Sequence, residues 1–281
     1  MKYREYIFKI NPADEELRGL LISLLAMEGF EGFTEEEDEV LAYIKPEDAD
    51  LFAPEHIIAT MGKMDCAVTF RLETVEERNW NELWERNYEP VYVDQEVQIR
   101  APFHPELPGF RFNLLIEPKM SFGTGHHHTT RMMIRMILRL DMAGKSVLDM
   151  GCGTGVLAIL AALRGADPVC AIDIDPWAYE NTMENTALNL NRDIEVLIGG
   201  AELLNERKFD IILANINRNI LLADMPVYRR TLNQDGILVV SGIMERDRSA
   251  ILEKAAELEL FPEFSLSGGD WISVCLAGKR D

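Results

Sequence analysis

Three short stretches of this chain carry residue types that could bind or orient a reacting molecule. The first is Asp149-Met150-Gly151-Cys152-Gly153-Thr154-Gly155, with glycines at alternate positions where an apolar run gives way to a helical one. Glycine lets a backbone approach a ligand closely, and the first turn of a helix offers unpaired N–H groups. The pattern is Gly-x-Gly-x-Gly, not the dinucleotide fingerprint, because Val156 stands where the third glycine of that fingerprint would be. Alone, such a loop is a weak signal, with an ordinary tight turn as the alternative.

The second stretch, Ala171-Ile172-Asp173-Ile174-Asp175-Pro176, puts an acid 22 residues beyond Gly151. A carboxylate at that place can accept both hydroxyl protons of a ribose, so Asp173 is the expected ribose ligand. Asp175 ahead of Pro176 reads instead as a helix cap. The third stretch is Ala214-Asn215-Ile216. Asn215 closes a buried strand, at the edge where open α/β sheets bind ligands, and its amide can accept a hydrogen bond from an amine. The alternative is a turn-forming asparagine. His126, His127 and His128 invite a metal reading, but adjacent residues rarely point at one ion, and no cysteine or carboxylate set with ligand spacing accompanies them, so no metal is expected.

Positioning these residues requires regular elements, and the pattern supplies them. From Ser146 the order is strand Ser146–Met150, helix Val156–Arg164, strand Val169–Asp173, helix Trp177–Leu188 and strand Ile194–Ile198. Strand Phe209–Ala214, helix Ile220–Leu232, strand Ile237–Ser241, helix Arg248–Glu259 and strand Ile272–Leu276 follow. Continuous apolar strands arise in a sheet covered by helices on both faces, so this region reads as a doubly wound α/β domain. Ahead of it, Val91–Ile99 and Phe110–Ile116 read as paired strands around a loop holding Pro102, Pro105 and Pro108. Asn79–Tyr88 reads as a connecting helix with Trp80 and Trp84 on one face.

The front of the chain follows a different pattern. Tyr3–Ile10 alternates, Asp14–Met27 has helical spacing closed by Gly29, strands fall near Phe30–Thr34 and Val40–Ile44, a helix runs from beyond Pro46 towards Met61, and Ala67–Val75 completes the set. This β-α-β-β-α-β order suggests an α+β ferredoxin-like domain, a fold that by itself specifies no function. The expected division is a front domain 1–78, a connecting helix 79–90 and an α/β domain 91–281.

Composition narrows the partners. The 281 residues are 47% hydrophobic and 27% charged, with a net charge of −20. Phosphate backbones are bound by clustered Lys and Arg, so direct nucleic-acid binding is not expected. The first 80 residues hold 8 Lys and Arg against 19 Asp and Glu, about −11, including the run from Glu35 to Glu39. Such a run is either a solvated turn or an electrostatic lure for a cationic protein. No apolar stretch is long enough to span a membrane, and the first residues lack the apolar core of a signal peptide. Cys66, Cys152, Cys170 and Cys275 are scattered without paired spacing, as suits reduced thiols. A cytoplasmic location, no membrane partner and a monomer are the expectations.

With these residues in view, the chain resembles class I S-adenosylmethionine-dependent methyltransferases, whose first two motifs match Asp149–Gly155 and Ile172–Pro176. The string Ser121-Phe122-Gly123-Thr124-Gly125-His126-His127-His128-Thr129-Thr130, together with Ala214-Asn215-Ile216 and the ending Asp270-Trp271-Ile272, is similar to the ribosomal protein L-eleven methyltransferase family (PrmA). The resemblance implies S-adenosylmethionine as cofactor and a mostly parallel seven-stranded sheet. It also implies transfer of methyl groups to lysine and N-terminal amines of that ribosomal protein, recognised through the front domain. Thr130, Gly151, Asp173 and Asn215 match the family's cofactor-contacting positions; Phe122, Thr124 and Gly153 adjoin them, and Asn215 is the expected catalytic residue. His127 is the histidine of the pattern, implied to order the loop over the methionine end of the cofactor. Where the family shows Asn-Ile-Leu-Ala, this chain has Asn215-Ile216-Asn217-Arg218-Asn219.

Three other readings stay open from sequence. A release-factor glutamine methyltransferase would show Asn-Pro-Pro-Tyr at Asn215. A nicotinamide-dependent oxidoreductase would bind a different cofactor, and a silent scaffold would bind the ribosomal protein without transferring methyl groups.

Overall fold

Alternation along β1 (Arg4–Asn11) sets the first layer: Tyr6, Phe8 and Ile10 share one face with Val40, Ala42, Ile44 and Val68. The computed structural model describes residues 4–12, 14–36, 39–49, 52–73, 88–119 and 121–279, and the chain divides into two units, Met1–Asn87 and Tyr88–Asp281. In the first unit β1 is followed by the helix Glu15–Met27, strands β2 (Gly32–Glu36) and β3 (Glu39–Ile44), two short helices, and β4 (Ala67–Glu73). The sheet is antiparallel in the order β2-β3-β1-β4. Leu21, Leu25, Ile57 and Met61 of the helices join its apolar face in one core.

Asp14 caps the first helix by accepting from the N–H groups of Glu16 and Leu17, and Gly29, at φ +94°, ends it while Phe30 N–H reaches back to the Leu25 carbonyl. The single helix expected between Pro46 and Met61 is instead two pieces, Pro46–Ala49 and Glu55–Gly62. Pro54 explains the break, since it has no N–H to continue a helix and stands at the start of the second piece. In the acidic run, Arg71 holds Glu39 through two bonds of 2.7 and 3.0 Å, and Arg18 lies 3.6 Å from Glu35. Glu37, Asp38 and the expected helix bearing Trp80 and Trp84 lie outside the described residues.

The second unit opens with a small sheet. The expected strand Val91–Ile99 is a tight hairpin of β5 (Val91–Val93) and β6 (Val97–Arg100), turned at Asp94 and Gln95 with φ of +49° and +58°. Two consecutive positive φ values give a turn whose twist matches that of the strands. Parallel to β6 lies β7 (Phe112–Leu115).

The main sheet has seven strands: β8 (Val147–Met150), β9 (Val169–Asp173), β10 (Glu195–Ile198), β11 (Phe209–Asn215), β12 (Leu232–Met244), β13 (Leu260–Gly268) and β14 (Trp271–Gly278). Their order is β10-β9-β8-β11-β12-β14-β13, parallel except for β14, which runs against both its neighbours. Alternate residues feed two cores, Val147 on one face and Leu148 on the other, so the strands are apolar throughout. The helices Val156–Leu163, Pro176–Asn189, Arg218–Thr231 and Arg248–Glu257 alternate with the strands.

Two elements were not visible in the sequence pattern. One is the edge strand β13, which tolerates Pro262 because an edge position leaves one side of the strand unpaired. The other is the helix His128–Arg139, whose buried face includes Thr130, Met133, Met136 and Ile137. Because β8 is flanked by β9 on one side and β11 on the other, the order reverses there, and the C-terminal ends of β8 and β11 are the place where open α/β sheets bind ligands. Among the described residues no helix is long and apolar enough to cross a membrane.

Candidate functional site

The glycine loop leaves β8 with Gly151, Gly153 and Gly155 at φ of +73°, +55° and +77°, a region L side chains rarely enter. The room their missing side chains leave is taken by the protein itself. A Cβ on Gly151 would lie 2.4 Å from Ile216 Cγ2, and one on Gly153 would lie 2.1 Å from the Phe122 carbonyl oxygen. The sequence pattern suggested close approach of a ligand; the structure shows two distant segments, one before the loop and one after it, closing onto it. Thr154 seals the first contact: its N–H donates to Phe122 O and its hydroxyl to Gly123 O, each at 2.9 Å.

At the end of β9, the Asp173 carboxylate is held from both sides. Gly153 N–H donates to Oδ2 at 2.9 Å and Asp175 N–H to Oδ1 at 3.0 Å. Each oxygen keeps a further lone pair for another donor. Asp175 caps the next helix through Trp177 N–H at 2.9 Å, with Pro176 in its first turn, as its sequence position indicates. Ile174, 70% exposed, and Ile198, 49% exposed, stand at the ends of adjacent strands, with Ile198 in register with Asp173. Both are exposed apolar residues at the strand ends that carry the carboxylate, and sequence reasoning missed them. The available signal was an isoleucine directly after a strand-terminal acid, where a polar turn residue is the norm.

Beneath the loop, Asp149 is fully buried and accepts from Ala158 N–H at 3.0 Å through Oδ2, while Oδ1 has no partner. Burial pushes its pKa up to about 7 against the pull of the Ala158 bond, and the charge on Asp173 adds to the rise.

Asn215 ends β11, one residue past Ala214, which is in register with Met150 of β8. Its Oδ1 is buried and has no hydrogen-bond partner; the buried Thr130 hydroxyl oxygen likewise has none. Ile216 is keyed between two glycines, Gly151 and Gly242, the second at φ +80° with a hypothetical Cβ 2.3 Å from the Ile216 carbonyl oxygen. Asn217 caps the helix Arg218–Thr231 by accepting from Ile220 N–H at 3.1 Å. The departure at Asn217-Arg218-Asn219 therefore has a local reason, a helix cap two residues beyond Asn215 and a helix that starts at the third.

The segment that closes on the loop is lined with rings. Phe122, 54% exposed, has its ring 5.4 Å from that of His127, which lies 4.8 Å from Trp271. His127 Nδ1 accepts from Thr129 N–H at 3.3 Å and so caps the helix His128–Arg139. Burial, and then the neighbouring His128, hold the His127 pKa below the ordinary imidazole value, which keeps that nitrogen free to accept. His126 points elsewhere, with Nε2 2.9 Å from Glu89 O and Nδ1 3.1 Å from the Thr124 hydroxyl. His128 lies against Gly268 and Gly269. The His127 and His128 rings meet edge to face at 6.5 Å, and among the described residues no group of His, Cys, Asp or Glu is arranged to hold a metal ion.

Gly151, Gly153, Asp173, the Phe122 backbone and, through Ile216, Asn215 are thus brought together around one loop. Thr124 turns its hydroxyl to His126, and Thr130 is buried within its helix.

Comparison with known proteins bears on this arrangement. The family model described as ribosomal protein L11 methyltransferase (PrmA) matches residues 24–280. A ribosomal protein L11 methyltransferase of Phocaeicola vulgatus is 42% identical, over 98% of this chain and 98% of that protein. One of Porphyromonas gingivalis is 43% identical, over 98% of this chain and 97% of that protein. Among solved structures, the ribosomal protein L11 methylase of Lactobacillus delbrueckii subsp. bulgaricus superposes with a TM-score of 0.63 at 30% identity, covering 69% of this chain and all of that one.

Proposed function

The chain belongs to the ribosomal protein L11 methyltransferase family, and from that premise we propose that it transfers methyl groups to lysine ε-amino groups and the N-terminal α-amino group of ribosomal protein L11. Enzymes of this family depend on S-adenosylmethionine, and the residues present suit that cofactor. The carboxylate of Asp173 is set by two backbone donors with lone pairs to spare, as a ribose diol requires. Ile174 and Ile198 offer apolar surface to a planar base. Gly151, Gly153, Asp173, Phe122, Thr124, Thr130 and Asn215 would hold the cofactor, which supplies a methyl group on positively charged sulfur.

The observation that carries the reading is the buried Asn215 oxygen without a partner, placed at the end of β11 beside the glycine loop. Leaving a buried acceptor unpaired costs about 1–3 kcal/mol, so the site gains when an amine N–H arrives there. An amine that donates one N–H to Asn215 would keep its nitrogen lone pair free for the methyl group that the cofactor would supply. Lysine has a pKa of about 10.4, so its neutral form at pH 7 costs roughly 4.6 kcal/mol. Positive charge at the sulfur disfavours an ammonium, and alignment of the reactants lowers the barrier further. Water suffices to take the proton before attack. His127 is not the base in this reading, because its Nδ1 is committed to a helix cap; it orders the segment Ser121–His127 over the methionine end of the cofactor.

The front unit is assigned the recognition role. Its β-α-β-β-α-β connectivity and β2-β3-β1-β4 order support a ferredoxin-like fold, and its acidity suits a basic ribosomal protein. Within this proposal residues 1–78 recognise the substrate, 79–90 connect and 91–281 carry the chemistry, in a cytoplasmic monomer that binds neither nucleic acid nor membrane. The test is transfer of a radiolabelled methyl group from S-adenosylmethionine into purified L11, followed by peptide mapping. Label on lysine and N-terminal amines is expected; no incorporation would overturn the reading.

A further inference from the structure

The helix Pro176–Asn189 buries polar side chains where an apolar face is the rule: Asn181, Thr182 and Asn185 are fully buried. Three asparagines four residues apart, Asn181, Asn185 and Asn189, face the stretch from Leu115 to Glu117 that extends β7. Asn189 Oδ1 accepts from Leu115 N–H at 2.8 Å while its Nδ2 donates to Leu115 O at 2.7 Å. Asn185 Oδ1 accepts from Glu117 N–H at 2.8 Å, and Asn181 Nδ2 donates to Glu117 O at 3.3 Å. The side-chain amides therefore stand where the backbone of a neighbouring strand would. Spacing makes this possible, since four helical residues rise about 6.0 Å and two strand residues about 6.6 Å.

The other half of the Asn185 amide does something different. Its Nδ2 donates to Thr154 O at 2.9 Å, and the Thr182 hydroxyl, one turn away, donates to Gly153 O at 2.9 Å. Thr154 in turn holds Phe122 and Gly123. One buried side chain thus ties Glu117, the root of the segment that runs to Phe122, to the glycine loop on which that segment closes.

We propose that Asn181, Asn185 and Asn189 are positioning residues for cofactor binding: a side-chain ladder that fixes the covering segment against the glycine loop. This rests on the functional reading above for the identity of the cofactor. The ladder touches neither the Asn215 oxygen nor Ile216, so it acts on affinity for S-adenosylmethionine and not on methyl transfer once the cofactor is bound.

The test uses the full chain with Asn185→Ala and, as milder variants, Asn189→Ala and Asn181→Ala. Calorimetry with S-adenosylmethionine should show Kd raised about tenfold for Asn185→Ala, the one amide of the three that also bonds the glycine loop, and about threefold for the other two. The cofactor KM should rise in step, with kcat at saturating cofactor within about twofold of wild type. Hydrogen exchange adds a local readout: the Glu117 amide should lose protection in Asn185→Ala while the Leu115 amide, held by Asn189, keeps it. A folded Asn185→Ala that binds cofactor with wild-type affinity overturns the proposal, as does a fall in kcat with Kd unchanged. Should Asn185→Ala fail to fold, unchanged affinity in both milder variants overturns it instead. Wild-type protein that does not bind S-adenosylmethionine would sink the functional reading itself, a result distinct from wild-type binding left unaltered by the variants.

Discussion

The two halves of the candidate site are finished to different degrees. On the proposed cofactor side, Asp173 takes two backbone N–H groups and Thr154 gives its N–H and hydroxyl to two carbonyls, while Asp149 Oδ1 beneath the loop is buried without a partner. On the proposed acceptor side, the Asn215 oxygen is buried and unmet. In this proposal the first side is set by protein hydrogen bonds before a ligand arrives, and the second holds hydrogen-bonding capacity for a ligand to satisfy. The difference assigns affinity to one side and orientation to the other.

Gly151 belongs to both sides, so a change there should break the distinction most severely. Valine at this position would need a φ of +73° and would drive its Cβ to 2.4 Å from Ile216 Cγ2. Gly151→Val should abolish cofactor binding measurable by calorimetry and disturb the Asn215 turn with it; a variant that binds normally would contradict the packing described. A sharper cut comes from Asp173→Ala, which removes the acceptor for Gly153 and Asp175 N–H groups as well as the proposed ribose ligand. Its Kd for S-adenosylmethionine should rise about a hundredfold, as expected for two or three bonds to a charged group, and an unchanged Kd would remove Asp173 from the cofactor side.

Asp149 tests how far the preorganised side is stabilised. Its folded-state pKa of about 7 lies above the ordinary 3.8, so the native state binds more protons than the unfolded chain between these values. Stability from this group is fully present below about pH 4 and is lost as pH rises through about 7, a total of roughly 4 kcal/mol. Asp149→Asn cannot ionise, so its stability relative to wild type should improve steadily with pH across that window in denaturant titrations. A constant difference between the two proteins would show that the carboxyl titrates normally. The smallest effect concerns long-range charge: raising salt from about 0.05 to 0.5 M should weaken the KM for L11 several-fold while changing cofactor Kd less, since exposed charges are screened over about 10 Å or less. Equal salt sensitivity of both constants would count against steering by the acidic front unit.

Much of the cofactor side was readable because its signals are local. The strands β8 and β9 are apolar throughout, glycines mark the turn, and Asp173 and Asp175-Pro176 sit at the next strand end. What escaped depends on contacts between residues far apart in sequence. The occupants of the glycine space, Phe122 and Ile216, lie 31 residues before Gly153 and 65 after Gly151. The asparagines of Pro176–Asn189 resemble a solvated helix face until Leu115 and Glu117 are placed against them. The helix His128–Arg139 begins with His127 as its cap, where Ser, Thr, Asp or Asn would have announced it. The strand β13 carries Pro262 and a bulge, both of which weaken a strand pattern.

The division of labour between the two sides is tested most directly by measuring kcat for L11 methylation, at saturating S-adenosylmethionine, alongside cofactor Kd in Asn215→Ala. The account predicts that kcat falls about a hundredfold, as when an oriented hydrogen-bonding group is removed from an active site, while Kd changes no more than about threefold. An equal loss in both quantities would make Asn215 a cofactor ligand only, and a wild-type kcat would show that its buried oxygen does not orient the amine.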